Sequence, residues 1–248
     1  MEKFYSKKPK RVNFSNGAKK TEILEYGVRA FLPRHHKIRE LKRLHAPSFH
    51  GIRLWPSSWL LMDFLNHQGL RKGLRVMELG CGWGLAGISC ARNYNAEVTS
   101  LDIDSEVFPY LQIHTQINHV QVTTLQLGFD DLTGDHLKGI DVMIGADICF
   151  WDSLAHSLKR LILRALGEGV QFVALADPGR SSFGKLGRHF VQGKGGELRD
   201  RSIQRPYPIQ GQILRIGSPP TYGFDTRCRS THKPSNCTAR RKYLDTKI

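Results

Sequence analysis

The run Val76-Met77-Glu78-Leu79-Gly80-Cys81-Gly82-Trp83-Gly84-Leu85-Ala86-Gly87 constrains this chain more than any other. Its left end is apolar, as in a buried strand. Its middle has glycine at every second position, and its right end, through about Tyr94, carries a helical pattern. Glycine takes φ > 0 without penalty and lets the backbone come close to a ligand. A helix start presents N–H groups that have no partner inside the helix. Strand, glycine turn and helix start together make a nucleotide-binding corner.

Downstream of this corner the chain alternates. Spacing predicts strand 74–79, helix 84–94, strand 97–102, helix 105–118 and strand 120–127, then a loop over 128–139. Strand 140–146, helix 152–166 and strand 170–176 follow. Residues 142–146 and 170–176 are almost wholly apolar, as expected of strands covered by helices on both faces. Repeated βα units of this length fold as an open parallel sheet with right-handed crossovers. After Ala176 the pattern changes. Asp177-Pro178-Gly179-Arg180 reads as a loop and Ser182–Val191 as a short helix. The β-like stretches 197–203 and 209–216 have no helix between them, so they should pair as a hairpin at the end of the sheet.

Upstream of the corner, Ile23, Leu24 and Val28, then Ile38, Leu41 and Leu44, sit at near-helical spacing. This predicts helical character over 23–45, broken into two pieces by Pro33. His35, His36, His45 and His50 have no carboxylate or cysteine beside them and read as surface or packing histidines. Gly51–Pro56 is a short extended piece. Ser57 or Ser58 is the expected cap of a helix over Trp59–Asn66, with Leu60, Leu61, Phe64 and Leu65 as its apolar face. Ser105 is the expected cap of the 105–118 helix, where Pro109 falls early enough to be tolerated. The chain thus divides into a basic, unstructured arm (1–22), a helical extension (23–50), an α/β domain (51–217) and a basic, unstructured tail (218–248).

Charge follows that division. The formal charge is +15, and residues 1–20 hold seven Lys/Arg against one acid, residues 218–248 seven against two. The ends are therefore either arms that touch nucleic acid or acidic partners, or plain solvated tails. Of five cysteines, Cys81, Cys90 and Cys149 lie in apolar or glycine-rich stretches and read as reduced thiols. Cys228, His232 and Cys237 lack a fourth ligand and the usual spacing, so no metal site is expected. No apolar run approaches the length of a membrane span, and no apolar segment follows the basic start as a signal peptide would require. The reading is a cytoplasmic protein with no membrane contact. Its oligomeric state is left open.

Gly82-Trp83-Gly84-Leu85-Ala86-Gly87 satisfies the G-x-G-x-x-G dinucleotide pattern, and Asp102 follows at about the right distance. Three features point away from a nicotinamide cofactor. Glu78 stands at the strand end, where an acid suits a cationic amino group rather than a pyrophosphate. The chain after Asp102 supplies βα units for one sheet and no second domain. The sheet ends in a hairpin.

Glu78-Leu79-Gly80-Cys81-Gly82-Trp83-Gly84 resembles motif I of the class I S-adenosylmethionine-dependent methyltransferases, commonly E/D-x-G-x-G-x-G. The resemblance covers about residues 50–217. It implies an α/β Rossmann-like open sheet of seven strands, mostly parallel, with a terminal antiparallel hairpin and helices on both faces. It implies S-adenosyl-L-methionine as cofactor, with Gly80, Gly82 and Gly84 around its methionine part and Glu78 near its amino group or structuring the loop. Asp102 would accept both ribose hydroxyls, a role for which Asp104 competes. Asp130 or Asp131 would accept from the adenine amino group, with Phe129 against the ring. Trp55, Cys81, Trp83, Ile103 and Ala146 complete the implied cofactor contacts. A carboxylate, with two acceptor oxygens, suits a vicinal diol.

Leu54-Trp55-Pro56-Ser57-Ser58 and Gly145-Ala146-Asp147-Ile148-Cys149-Phe150 further resemble the seven-strand protein-lysine methyltransferases. That group carries a Trp just before its first core helix and an acid-x-x-Tyr/Phe signature after the fourth strand. Ala176-Asp177-Pro178-Gly179-Arg180 is similar to a loop of the branch that methylates the β-subunit of electron-transfer flavoprotein. The N-terminal segment, the first helix and the basic tails depart from the group. By this resemblance Asp147 orients the acceptor amine, with a possible part in proton removal, and Phe150 walls its channel. Trp55 or Trp151 would add a second wall, and Arg180 would bind an acidic substrate surface or serve the turn alone. The function implied is N-methylation of a protein lysine. Small-molecule and RNA methyltransferases are the nearest alternatives. The Asn/Asp-Pro-Pro-Tyr/Phe tetrad that holds a flipped base is missing. An NAD(P)-dependent oxidoreductase and a catalytically silent S-adenosylmethionine-binding protein are the alternatives from other classes.

Overall fold

The computed structural model describes residues 20–221 except 49 and 194. The expectations for the first 19 residues and for the tail beyond 221, Cys228, His232 and Cys237 included, lie outside the described residues. The described residues begin with two strands, β1 (Glu22–Glu25) and β2 (Val28–Phe31), paired antiparallel. Helix was expected here, and the hairpin corrects it. Tyr26 and Gly27 both have positive φ, +50° and +76°, the signature of the two-residue turn that matches strand twist. The helical spacing of Ile23, Leu24 and Val28 was coincidental, and Leu24 is 61% exposed.

The second expected piece is helical: α1 (His36–Leu44), whose first turn is capped by His35 Nδ1 accepting the Lys37 N–H at 3.3 Å. Next come α2 (Pro56–Gln68), β3 (Arg75–Leu79), α3 (Leu85–Tyr94) and β4 (Glu97–Asp102). A 3-10 turn over Ser105–Val107 leads into α4 (Phe108–Asn118), followed by β5 (Thr123–Gln126). The remainder is α5 (Gly134–Leu137), β6 (Val142–Ala146), α6 (Asp152–Gly167), β7 (Phe172–Asp177), α7 (Ser181–Val191), β8 (Gly196–Ile203) and β9 (Ile209–Gly217). Helix α5 occupies part of the stretch expected as loop. Two caps also differ from expectation. Asp104, not Ser105, accepts the Glu106 N–H at 3.0 Å. Ser57 and Ser58 lie inside α2, which starts at Pro56, where the missing N–H costs nothing.

Seven strands form one sheet in the order β5-β4-β3-β6-β7-β9-β8. The first five are parallel, and β9 runs antiparallel to both β7 and β8. The expected sheet, with its terminal hairpin, is present. One face packs on α2 and α3 through Trp59, Leu60, Leu61 and Ile88. The other packs on α6 and α7 through Leu158, Ile162, Phe183 and Phe190. After β3 the chain fills one side of the sheet with β4 and β5, and then returns to place β6 on the other. Adjacent strands β3 and β6 therefore send their connections opposite ways, and a crevice opens beyond their carboxyl ends. No helix among the described residues is long and apolar enough to cross a membrane.

Candidate cofactor and acceptor site

The glycine corner leaves β3 into that crevice. Gly80, Gly82 and Gly84 have φ of +55°, +52° and +73°, which side-chain-bearing residues rarely adopt. Space is also short: a Cβ on Gly84 would lie 2.5 Å from Leu111 Cδ1, and one on Gly80 2.6 Å from Ile148 Cγ2. Glu78 points behind the loop. Its Oε1 accepts the Gly87 N–H at 3.0 Å and its Oε2 the Ser100 hydroxyl at 2.6 Å. Of the two roles expected of Glu78, this is the structuring one. Burial pushes its carboxyl up to about 7, against the pull of those hydrogen bonds.

Asp102 ends β4 beside the same loop. Its Oδ2 accepts the Gly82 N–H at 3.0 Å and its Oδ1 the Asp104 N–H at 3.1 Å. Burial raises its carboxyl above the usual carboxylate range. Each oxygen keeps a lone pair for a further donor. Asp104 is occupied elsewhere, accepting the Ser48 N–H at 2.6 Å besides its capping bond. The glycine turn and Asp102 border a cavity of about 280 Å³. Of the site residues expected from the sequence, Glu78, Asp104, Asp130, Asp131 and Arg180 do not border it, and the others do. Glu78 lies behind the loop. Asp130 is turned outward to Ser157 Oγ at 2.7 Å and Arg160 Nη2 at 2.6 Å, which hold its carboxyl below the usual range. Asp131, its alternative, does not border the cavity either. The far wall is apolar instead: Ile103, 73% exposed, with Leu127 and Phe129. Trp83 borders the cavity while its ring stacks on Tyr110 and its Nε1 donates to Gly51 O at 2.9 Å.

The opposite end is built where β6 stops. Asp147 has φ of +58° and is 3% exposed. Its Oδ2 accepts the Ser57 N–H at 3.1 Å, giving α2 the cap its own serines do not provide. Its Oδ1 accepts from Arg180 Nη1 at 2.9 Å. The same Nη1 reaches Asp177 Oδ2 at 2.6 Å, and the Arg180 guanidinium lies 4.4 Å from the Phe150 ring centroid. Phe150 sits 4.0 Å from His50, 5.4 Å from Trp55 and 5.8 Å from Trp151 between centroids. Burial, with Arg180 and Arg53 nearby, lowers the His50 pKa.

Sequence reasoning missed two features of this end. His50 does pack, as expected, but it packs on Phe150 and borders the cavity. Arg180, expected to face a substrate or serve a turn, is bound inward to two carboxylates. The basic residue three positions after Asp177 was the available signal.

Solved structures share this architecture. A methyltransferase from Pyrococcus furiosus matches with a TM-score of 0.51 at 19% identity, covering 74% of this chain and 98% of that one. The precorrin-6y C5,15-methyltransferase of Geobacter metallireducens matches with a TM-score of 0.53 at 13% identity, over 71% and 95%. These likenesses concern the fold. Among curated relatives, the electron transfer flavoprotein beta subunit lysine methyltransferase of Danio rerio is 25% identical over 52% of this chain and 50% of its own length. A protein-lysine N-methyltransferase of Chaetomium thermophilum is 34% identical over 40% and 34%. The chain thus spans about half the length, or less, of the curated relatives it matches. A family model described as lysine methyltransferase matches residues 45–180. Family and fold imply S-adenosyl-L-methionine as the cofactor, and the residues fit it. The glycine turn stays open because the φ values of all three glycines, and the neighbours of Gly80 and Gly84, disfavour side chains, Asp102 keeps free lone pairs at the rim, and an apolar slot lies beyond. With that model matching more than half of its residues, the chain belongs to the lysine methyltransferase family.

Proposed function

We propose that this protein transfers a methyl group from S-adenosylmethionine to the side-chain amine of a lysine in a protein substrate. The observation that carries the reading is a single cavity with two unlike ends: the glycine turn and Asp102 at one, and Asp147 with aromatic rings at the other. When bound, the cofactor supplies an electrophilic methyl group on a sulfonium. The chain's own residues hold and orient. Backbone groups of Gly80–Gly84 and the Asp102 carboxylate would hold the cofactor's polar parts, and Ile103 and Phe129 its flat ring. Phe150, Trp55 and Trp151 take water from the acceptor amine, which favours its neutral, nucleophilic form. Asp147 already has both oxygens engaged, so its part is to orient the amine through its remaining lone pairs. Most of the acceleration then comes from holding the two reactants in line. The activities for which the relatives are named, among them a calmodulin-lysine N-methyltransferase of Arabidopsis thaliana, support a protein acceptor.

We also read 51–217 as the methyltransferase domain and 23–50 as its N-terminal extension. The buried free thiols Cys81, Cys90 and Cys149 support a reducing location such as the cytoplasm.

Calorimetry with S-adenosylmethionine, S-adenosylhomocysteine and NADH tests the cofactor, and binding of NADH alone would overturn the proposal. Tritium-methyl labelling of a cell lysate, followed by separate protease and nuclease treatment, tests the acceptor. Label lost to protease is expected. Label that survives protease and is lost to nuclease would assign the activity to RNA.

A further inference from the structure

Four segments meet at the acceptor end: the start of α2, the end of β6, the Cys149–Trp151 stretch and the turn after β7. β6 and β7 are paired, Asp147 accepts from the start of α2, and the Ser182 hydroxyl donates to Cys149 O at 2.6 Å. One further side chain bridges Asp147, the turn after β7 and the Phe150 ring. Asp177 Oδ1 accepts the N–H groups of Gly179 and Arg180, at 2.9 and 2.7 Å, which turns Arg180 back toward the sheet. The Arg180 guanidinium then meets Asp177 Oδ2 and Asp147 Oδ1 and lies over Phe150. Through Asp147 it is linked to the Ser57 N–H and so to α2, whose N-cap is Trp55. The Arg180 side chain is 16% exposed and both carboxylates are almost fully covered, so solvent screens this cluster little.

We propose that Arg180 is a positioning residue for methyl transfer: its one planar guanidinium fixes Asp147 and the Phe150 ring relative to each other and so sets the geometry of the acceptor end. The inference rests on the lysine-methylation reading for what the acceptor end receives, and on the geometry alone for what Arg180 does. The planarity matters. A guanidinium bonds carboxylates through its edge while lying on a ring with its face, and a lysine ammonium offers charge without the plane.

Arg180→Lys is therefore the informative variant, since it keeps the charge that the two buried carboxylates require. Arg180→Gln, which removes that charge, is made beside it. The protein is labelled with 4-fluorophenylalanine, and the Phe150 signal is identified by its loss in Phe150→Leu. In Arg180→Lys the Phe150 fluorine resonance is expected to move or broaden, with S-adenosylmethionine affinity by calorimetry within twofold of the native protein. Methyl transfer to the protease-sensitive lysate fraction should fall at least tenfold. A native Phe150 resonance in Arg180→Lys overturns the proposal. So does a loss of cofactor affinity that parallels the loss of transfer, because that is the pattern of a merely structural residue. If Arg180→Gln does not fold, Arg180→Lys decides alone. A native protein that binds cofactor and labels no lysate fraction overturns the methylation reading, and the fluorine spectrum still decides the role of Arg180.

Discussion

Glu78 Oε1 accepts the backbone N–H of Gly87 across 3.0 Å, so an acid at the end of β3 ties down the first turn of the helix that follows. Its second oxygen takes the Ser100 hydroxyl of β4. One buried carboxyl thus joins two strands and a helix start beneath the glycine turn.

That burial makes folding proton-linked. The Glu78 carboxyl is pushed from its ordinary 4.5 to about 7 in the folded protein. Between those values the folded state keeps a proton that the unfolded chain has released. The stabilising contribution is full below about pH 4.5 and is lost as pH rises through about 7. Glu78→Gln has no such titration. The stability of the native protein relative to Glu78→Gln is expected to fall between pH 5 and 8, by up to roughly 3 kcal/mol. Urea unfolding of both proteins at the two pH values checks this, and an equal difference at both would refute it.

Gly87 is glycine because Glu78 comes so close. A Cβ there would lie 2.4 Å from Glu78 Oε2 and 2.9 Å from Ser100 Oγ. Gly87→Ala is expected to lose about 1–3 kcal/mol, the usual cost of overpacking, although alanine favours helix. Chemical denaturation measures it. A variant as stable as the native protein would mean that the loop yields at no cost.

Asp102 predicts a binding defect larger than its folding defect. Asp102→Asn keeps the size of the side chain and loses the charge that strengthens hydrogen bonds from a diol, and it can accept only one of the Gly82 and Asp104 N–H groups, so some stability is lost with it. A hydrogen bond to a charged group contributes about 1.5–3 kcal/mol, so affinity for S-adenosylmethionine should drop roughly ten- to a hundredfold. Calorimetry reads the loss, with thermal unfolding as control. Unchanged affinity would remove Asp102 from the cofactor's contacts.

His114 gives stability a second, opposite pH dependence. Its Nε2 accepts the Phe31 N–H at 3.1 Å and its Nδ1 lies 2.6 Å from Tyr110 O, so the ring is neutral with the proton on Nδ1. Burial lowers its pKa from 6.5 to about 4. Its contribution is complete above about pH 6.5 and is lost as pH falls through about 4, up to roughly 3 kcal/mol in all. His114→Gln can keep both hydrogen bonds and cannot titrate. The stability of the native protein relative to His114→Gln should fall between pH 7 and 5, a difference in which the titration of Glu78 cancels; parallel curves would count against the assignment.

The sheet was readable because its signals are local. Strand β4 occupies 97–102 as expected, a short run with Val98 and Leu101 as its apolar residues, preceded by Asn95 and ending at Asp102. Where partners lie far off, local pattern misled. The apolar residues of 22–31 fit a helix, and only Tyr26-Gly27 marks the turn of a hairpin. Asp130 looked free to face the cavity because the groups that turn it away, Ser157 and Arg160, come 27 and 30 residues later. Helix α2 is capped by Asp147, 90 residues on, rather than by the serines beside it. The glycine corner and Asp102 were legible as chemistry because motif and geometry coincide there. The acceptor end was legible only in part, since Asp147 and Phe150 are named by a short signature and Arg180 is placed by the fold.

The order of these residues along the chain gives the cavity a history. Its wall runs from Ser48 to Leu154, whereas Asp177 and Arg180 come after it. Synthesis at about 5–20 residues per second delivers the wall ahead of its clamp by an interval on the order of seconds. Until residues 177–180 are made, the Asp147 carboxylate has no guanidinium to pair with. The acceptor end is therefore completed by the turn after β7, once every residue of the cavity wall has left the point of synthesis.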